Sequence, residues 1–171
     1  MIEGVSLHSL KQISVPKGDL WHAFKMNDEG FVGFGEAYLT QIEPHQIKGW
    51  KRHNRYVLNI VVIVGAVKFV IYDDRQESIT RGQFEEIILS PIYNYQRLTV
   101  APGLWMAFAG AAESENSILM DLIPELHQPE ESDRKELEEI NITLMYESFV
   151  DRYHRICGAE SNAYVVERMS T

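Results

Sequence analysis

A short segment of the chain, residues 46–55, combines four cations with a histidine directly before an apolar segment, residues 57–64. These are four of the 16 Lys and Arg residues in a protein whose net charge is −9. Burying a charge against a core strand is unfavourable unless the charge has a partner. The cluster therefore predicts a binding site for a small anionic ligand. Its residues, in order, are Gln46, Ile47, Lys48, Gly49, Trp50, Lys51, Arg52, His53, Asn54 and Arg55.

Lys51 and His53 are the candidate catalytic residues of this segment. Residues two apart on a strand share one face, so both side chains can point into a barrel while Arg52 points outward. The intrinsic pKa of His53 suits a general base that removes a proton next to a carbonyl group. Lys51 is either a base, if desolvation lowers its pKa, or the cation that stabilises an enolate. The alternative interpretation is a solvated end of a strand that carries a surface histidine.

Other polar and aromatic residues are candidates for binding the ligand. Cationic side chains pair with phosphate groups, and aromatic rings can stack on a nucleobase. Polar side chains on otherwise apolar strands need partners, which the inside of a barrel can supply. The predicted binding residues are Lys48, Trp50, Arg55, Asn59, Arg75, Tyr95, Trp105, Glu36 and Tyr38.

Composition excludes several classes of function. A pI near 5.1 argues against nucleic acid as a partner. The single cysteine, Cys157, rules out an intrachain disulfide. Three ligands for a divalent metal cannot be assembled around His53, so no cofactor is expected. No apolar run approaches the roughly 18–20 residues of a membrane span, and residues 1–4 have no feature of a signal peptide. We therefore expect a cytoplasmic protein with no membrane partner.

The spacing of the apolar segments predicts an all-β sandwich or barrel over about residues 31–123, within a single domain of 171 residues. After it, Ser132 is suited to cap a helix, and apolar residues then follow a helical period. We therefore expect a helical tail over about residues 132–157. The predicted strands are 35–42, 56–64, 67–72, 84–89, 96–100, 104–109 and 117–123.

Four segments, in this order, resemble the dTDP-4-dehydrorhamnose 3,5-epimerase family and its sugar-nucleotide cupin relatives. Residues 47–51 lie where the family has Arg-Gly-Leu-His. Residues 58–75 contain a central glycine and end in Asp-Asp-Arg, like the family's hairpin that ends in Asp-x-Arg. Residues 85–90 match a Val-Glu-Leu-Ser strand, and residues 100–108 resemble Ile-Pro-x-Gly-Phe-Ala-His-Gly-Phe. The resemblance implies a cupin-type double-stranded β-helix jelly roll that forms a homodimer.

The resemblance also implies an isomerase or epimerase that acts on a nucleotide-linked 4-keto-6-deoxy sugar in surface-polysaccharide biosynthesis. In the family, a histidine supported by a carboxylate is the base and a tyrosine is the acid. Here Lys51 stands at the histidine position with His53 two residues later, and Met106 replaces a second histidine. No tyrosine occurs between Ile118 and Leu122. These departures keep a second hypothesis open, a non-catalytic cupin that binds a sugar nucleotide or another small anion.

Overall fold

The computed structural model describes residues 1–140, and nearly all regular structure in them is β-strand. The strands belong to the unit Met1–Glu136, and a second unit begins at Leu137. In chain order the strands are β1 (Val5–Ser9), β2 (Gln12–Ile13), β3 (Leu20–Trp21), β4 (Glu36–Ile42), β5 (Ile47–His53), β6 (Leu58–Val64), β7 (Val67–Tyr72), β8 (Phe84–Leu89), β9 (Gln96–Val100), β10 (Trp105–Gly110), β11 (Ser117–Ile123) and β12 (Ser132–Lys135).

Ten of these strands form two five-stranded antiparallel sheets. Sheet I has the order β1-β9-β6-β11-β4, and sheet II has the order β12-β5-β10-β7-β8. The apolar core takes side chains from both sheets, such as Ile60 and Leu98 of sheet I and Phe69 and Leu89 of sheet II. Alternation explains this arrangement, because every second residue of a strand faces the opposite sheet. The predicted all-β jelly roll is confirmed.

The hairpin between β6 and β7 depends on a glycine. Gly65 has a φ of +71°, in the left-handed region that glycine adopts without strain. A Cβ added there would lie 2.6 Å from Ser117 Oγ. That hydroxyl donates to Ala66 O at 2.7 Å and accepts from Ala66 N at 3.1 Å, so the hairpin is fastened to β11.

The predicted helix does not begin at Ser132. Residues 132–135 form β12, which pairs antiparallel with β5, and Arg52 Nη2 of β5 donates to Asp133 Oδ2 at 2.7 Å. Pairing with a distant strand thus overrides the local capping signal of Ser132. In the second unit, Leu137–Glu139 form a short 3₁₀ turn. Residues 141–157 of the predicted helical tail lie outside the described residues, and the single-domain organisation stays a prediction.

No helix within residues 1–140 is long and apolar enough to cross a membrane.

Candidate functional site

A cavity of about 440 Å³ opens between the two sheets. This volume is within the range of small-molecule pockets, roughly 300–1,000 Å³. Sheet II supplies most of its charged wall, and sheet I supplies an apolar wall with a few polar groups. The lining residues are Tyr38, Thr40, Leu58, Ile60, Leu119 and Asp121 of sheet I, with Lys48, Gly49, Trp50, Lys51, His53, Met106, Phe108, Arg134, Lys135 and Glu136.

A bulge in β5 turns two lysines toward the same cavity. In the pairing of β5 with β10, Met106 lies opposite Lys51 and Phe108 lies opposite Lys48, with a register shift between them. Two residues of β5, Gly49 and Trp50, therefore lie across from a single residue of β10. Lys48 and Lys51 consequently share a face although they are three residues apart.

His53 lines the cavity and forms a buried pair with Glu131 behind it. His53 Nδ1 lies 2.5 Å from Glu131 Oε2, and the two side chains are 5% and 1% exposed. The other carboxylate oxygen, Oε1, accepts from the backbone nitrogens of Arg55 at 2.7 Å and Tyr56 at 3.0 Å. Glu131 is thus fixed by the chain around His53, and it holds the imidazole in one orientation.

The electrostatics of this pair suit a neutral base. Burial lowers the pKa of His53 below 6.5, and the hydrogen bond that His53 Nδ1 donates to Glu131 opposes this only in part. Burial alone would raise the pKa of Glu131, but the hydrogen bonds from Arg55, Tyr56 and His53 hold it below its ordinary value. With the proton of the neutral imidazole on Nδ1, directed at the carboxylate, Nε2 carries the lone pair.

Four cations on the wall form no ion pair within residues 1–140. They are Lys48, Lys51, Arg134 and Lys135, and Arg134 lies opposite Lys51 in the pairing of β12 with β5. Lys135 is partnered by an aromatic ring, since its Nζ lies 4.5 Å from the centroid of Trp105. Burial, followed by the charge of Arg134, lowers the pKa of Lys51. A ligand that carries negative charge would relieve the repulsion among these groups.

Sheet I contributes a tyrosine and a carboxyl group to the same cavity. Tyr38 Oη donates to Asp121 Oδ2 at 2.9 Å. Burial raises the pKa of Asp121 to about 7. Burial and the neighbouring Asp121 raise the pKa of Tyr38 well above its ordinary value, so the phenol keeps its proton.

Of the eleven residues predicted from the sequence, the structure brings five together at the cavity. These are the predicted catalytic residues Lys51 and His53, with Lys48, Trp50 and Tyr38. Trp50 is only 1% exposed, and its ring centroid lies 6.5 Å from that of Phe84, so the indole is mainly a packing group.

The other six predicted residues do not line the cavity, and strand alternation accounts for two of them. Leu58 and Ile60 face the cavity, so Asn59 between them faces away, where it accepts from Thr99 Oγ1 at 2.8 Å. Trp105 lies on the outer face of sheet II, where Nε1 donates to Asp74 Oδ2 at 2.9 Å.

The remaining four are held by partners elsewhere in the unit. Arg55 Nη2 donates to Glu125 at 2.7 Å, and Arg75 Nε donates to Asp73 at 2.9 Å. Tyr95 Oη donates to the backbone oxygen of His22 at 3.0 Å. Glu36 Oε2, at the beginning of β4, accepts from the backbone nitrogen of His127 at 2.8 Å. A polar residue near an apolar strand can find its hydrogen-bond partner outside the barrel. For this reason these four residues do not line the cavity, although the sequence predicted that they would.

Sequence reasoning missed several polar residues of the site, of which Glu131, Arg134 and Asp121 matter most for its chemistry. Glu131 and Arg134 lie in a segment that was predicted to begin a helix, so no strand pairing with β5 was expected. Asp121 lies on a strand that was correctly predicted, and its alternation with Leu119 on that strand could have placed it on the inner face.

Within residues 1–140, no group of three or more His, Cys, Asp or Glu side chains is arranged to hold a metal ion. The expectation that the protein needs no metal stays a prediction.

Comparisons with known proteins place this geometry in a family. No protein-family model matches the chain. A solved structure of a dTDP sugar isomerase from Desulfovibrio desulfuricans G20 is similar, with a TM-score of 0.77, 30% identity, and coverage of 80% of this chain and 87% of that chain.

Two further relatives are more distant. A protein of Haloferax volcanii named "Probable low-salt glycan biosynthesis epimerase Agl13" is 24% identical over 138 residues, which are 80% of this chain and 87% of the relative. The dTDP-6-deoxy-D-glucose-3,5-epimerase of Legionella pneumophila, solved in complex with dTDP-4-keto-L-rhamnose, shares the fold with a TM-score of 0.67 at 18% identity, over 78% of this chain and 73% of that chain. Because the dTDP sugar isomerase of Desulfovibrio desulfuricans is 30% identical over most of both chains, the protein belongs to the family of dTDP-sugar isomerases and epimerases.

Proposed function

We propose that the protein is an isomerase or epimerase that acts on a nucleotide-linked 4-keto-6-deoxy sugar in surface-polysaccharide biosynthesis. The observation that carries the proposal is that His53, held by the buried Glu131, lines a cavity together with Lys48, Lys51 and Arg134. The relatives support the substrate class, since one is a dTDP sugar isomerase and another is named for glycan biosynthesis.

In this proposal His53 is the base. Its Nε2 removes a proton from the carbon next to the ketone, and Glu131 stabilises the imidazolium ion that results. Lys51 lies two residues away on the same face and stabilises the negative charge that develops on the ketone oxygen. The earlier alternative, with Lys51 as the base, has less support, because no carboxylate within residues 1–140 is hydrogen-bonded to its amine.

The remaining cations suit the diphosphate of a nucleotide sugar. Lys48 and Arg134 lie on the same wall as Lys51, and Arg134 has the planar guanidinium group that binds phosphate oxygens in pairs. Apolar side chains such as Leu58, Ile60 and Phe108 complete the wall and exclude water from the reacting carbon.

The proposal is tested by incubating the wild-type protein with a dTDP-linked 4-keto-6-deoxy sugar in heavy water. We expect deuterium to enter the position next to the ketone, as followed by proton NMR. Binding without exchange, across several nucleotide sugars of this class, would leave the second hypothesis, a non-catalytic cupin that binds a sugar nucleotide or another small anion.

Replacing either outer cation is expected to weaken the binding of dTDP. Lys48→Ala and Arg134→Ala each remove a charge-assisted contact of about 1.5–3 kcal/mol, so the Kd should rise roughly ten- to a hundredfold. Isothermal titration calorimetry measures this change. Arg81→Ala, which removes an exposed cation remote from the cavity lining, is the matched control and should bind as the wild type does. If Lys48→Ala and Arg134→Ala bound dTDP as tightly as the wild type and Arg81→Ala do, the diphosphate would not bind at Lys48 and Arg134.

A homodimer is also part of the proposal. Val32, Phe34 and Leu39 are each more than 60% exposed, and a second copy of the chain would remove such apolar side chains from water. Light scattering at micromolar concentration should give twice the chain mass of 19.7 kDa. A measured mass equal to that of a single chain would contradict the homodimer. The cytoplasmic location remains a proposal that rests on the sequence.

A further inference from the structure

Asp121 has a carboxyl group that the fold leaves half satisfied. It lies on β11, is 5% exposed, and reaches the cavity. Its Oδ2 accepts the hydrogen bond from Tyr38, but its Oδ1 is buried and has no hydrogen-bond partner within residues 1–140. A buried polar atom without a partner lowers stability, so its presence beside a cavity needs an explanation.

The surroundings of Asp121 favour the carboxylic acid more than is usual for an aspartate. Burial raises its pKa to about 7, while the hydrogen bond from Tyr38 of β4, the charge of Lys51 of β5 and the backbone N–H of Leu122 oppose this rise. His53 of β5 faces the same cavity, and β6 presents only apolar side chains to it. Because Tyr38 already donates to Oδ2, the proton of the acid form belongs on Oδ1, the oxygen without a partner. The other charged residues of the wall are Lys48, Arg134, Lys135 and Glu136.

Asp121 and His53 belong to opposite walls. Asp121 is part of sheet I and His53 is part of sheet II, and both line the one cavity between the sheets. A sugar ring bound between them has His53 toward one face and Asp121 toward the other. We propose that Asp121 is the second proton-transfer group of the site, which protonates the carbon on the face opposite His53 and so inverts its configuration.

This inversion, which rests on the proposed function, consists of two proton transfers on opposite faces of the sugar. His53 Nε2 takes the proton, the C–H electron pair forms the C=C bond of the enolate, and the carbonyl π pair moves to oxygen. The O–H bond at Asp121 Oδ1 then breaks, and its proton goes to the carbon from the other face. The enolate electron pair forms the new C–H bond and the C=O bond is restored. His53 has gained one proton and Asp121 has lost one, and exchange with water resets both.

Asp121→Asn tests the inference because it keeps the shape of the side chain but removes the acidic proton. Incubated with a dTDP-linked 4-keto-6-deoxy sugar in heavy water, the variant should still exchange deuterium into recovered substrate, because His53 remains. Formation of the inverted product should fall about 100-fold or more, the usual contribution of a positioned acid. Exchange and inversion are read from the same NMR spectra, and dTDP affinity and melting temperature report on folding.

The outcomes separate this inference from the proposed function. No exchange in the wild type contradicts the proposed function. Three outcomes would overturn the role of Asp121. In the first, the wild type exchanges deuterium without inverting the carbon, and in the second, Asp121→Asn inverts it at the wild-type rate. The third outcome is an equal loss of exchange and inversion in a folded Asp121→Asn variant.

Tyr38→Phe tests the role of Asp121 as the acid if the Asp121→Asn variant does not fold. The hydrogen bond from Tyr38 lowers the pKa of Asp121, so its removal should raise that pKa further. The rate of inversion depends on the acid form, and the alkaline fall of its pH profile should therefore move to higher pH. An unchanged alkaline limb would overturn the inference.

Discussion

Replacing His53 by glutamine should slow deuterium exchange next to the ketone by about 10²–10⁴-fold, the usual contribution of a general base. Glutamine retains the length and polarity of the side chain but has no lone pair of comparable basicity. Binding of dTDP should change little, because the diphosphate contacts are assigned to Lys48 and Arg134. Exchange is followed by proton NMR and affinity by calorimetry on the same preparation.

The pH dependence adds a second check on His53. Its pKa is lowered by burial, so the neutral base persists below the ordinary value of 6.5 and is lost only as the pH falls further. The acidic limb of the wild-type exchange profile should therefore lie below pH 6.5. His22→Gln, outside the cavity lining, is the matched control. Exchange in His53→Gln at more than half the wild-type rate would show that another group removes the proton.

Replacing Glu131 should affect both activity and stability, and two variants separate the effects. Glu131→Ala leaves the N–H groups of Arg55 and Tyr56 without their acceptor, and this should lower the free energy of unfolding by about 3 kcal/mol. For a chain of this length the melting temperature should fall by roughly 6–12 °C. Differential scanning calorimetry measures this fall, and Glu130→Gln, an exposed neighbour, is the control.

Glu131→Gln should keep most of the stability but lose activity. The amide oxygen can still accept from the backbone, while the amide NH₂ donates to His53 Nδ1 and moves the imidazole proton to Nε2. Because Nε2 then has no lone pair, exchange should fall about a hundredfold or more. A variant that exchanges at the wild-type rate would contradict the orienting role of Glu131.

The pH dependence of stability follows from the same carboxylate. The pKa of Glu131 in the folded protein is held below 4.5, so its ionised form contributes stability above pH 4.5. That contribution is lost as the pH falls through the lowered folded-state pKa. The difference in the free energy of unfolding between the wild type and Glu131→Gln should therefore become smaller as the pH falls below 4.5.

Strand patterns predicted most of the jelly roll because each strand is recognisable from its own residues. The predicted ranges 67–72, 84–89, 96–100 and 117–123 coincide with β7, β8, β9 and β11. The period of two also anticipated that Lys51 and His53 would share a face. These features depend only on local alternation and on turn residues.

The rest of the site depends on contacts that local patterns do not encode. The bulge at Gly49 and Trp50 shifts the alternation by one residue, and β12 becomes a strand only by pairing with β5. Ser132 and the acids around it match a helix start equally well. Whether a polar side chain such as Asn59 faces the cavity or an outer partner also depends on distant segments, here Thr99.

The pairing of β12 with β5 has a consequence for how the protein is made. His53 and Glu131 are 78 residues apart in the chain. Glu131 and Arg134 are translated after all the other strands that line the cavity. A nascent chain that ends before residue 131 therefore carries the lysines of β5 and a histidine with no carboxylate to orient it. Translation proceeds from the N-terminus at roughly 5–20 residues per second, so the two sheets can begin to associate before the last strand emerges. The His53–Glu131 pair can therefore form only after β5 and the segment that leads into β12 have both been made.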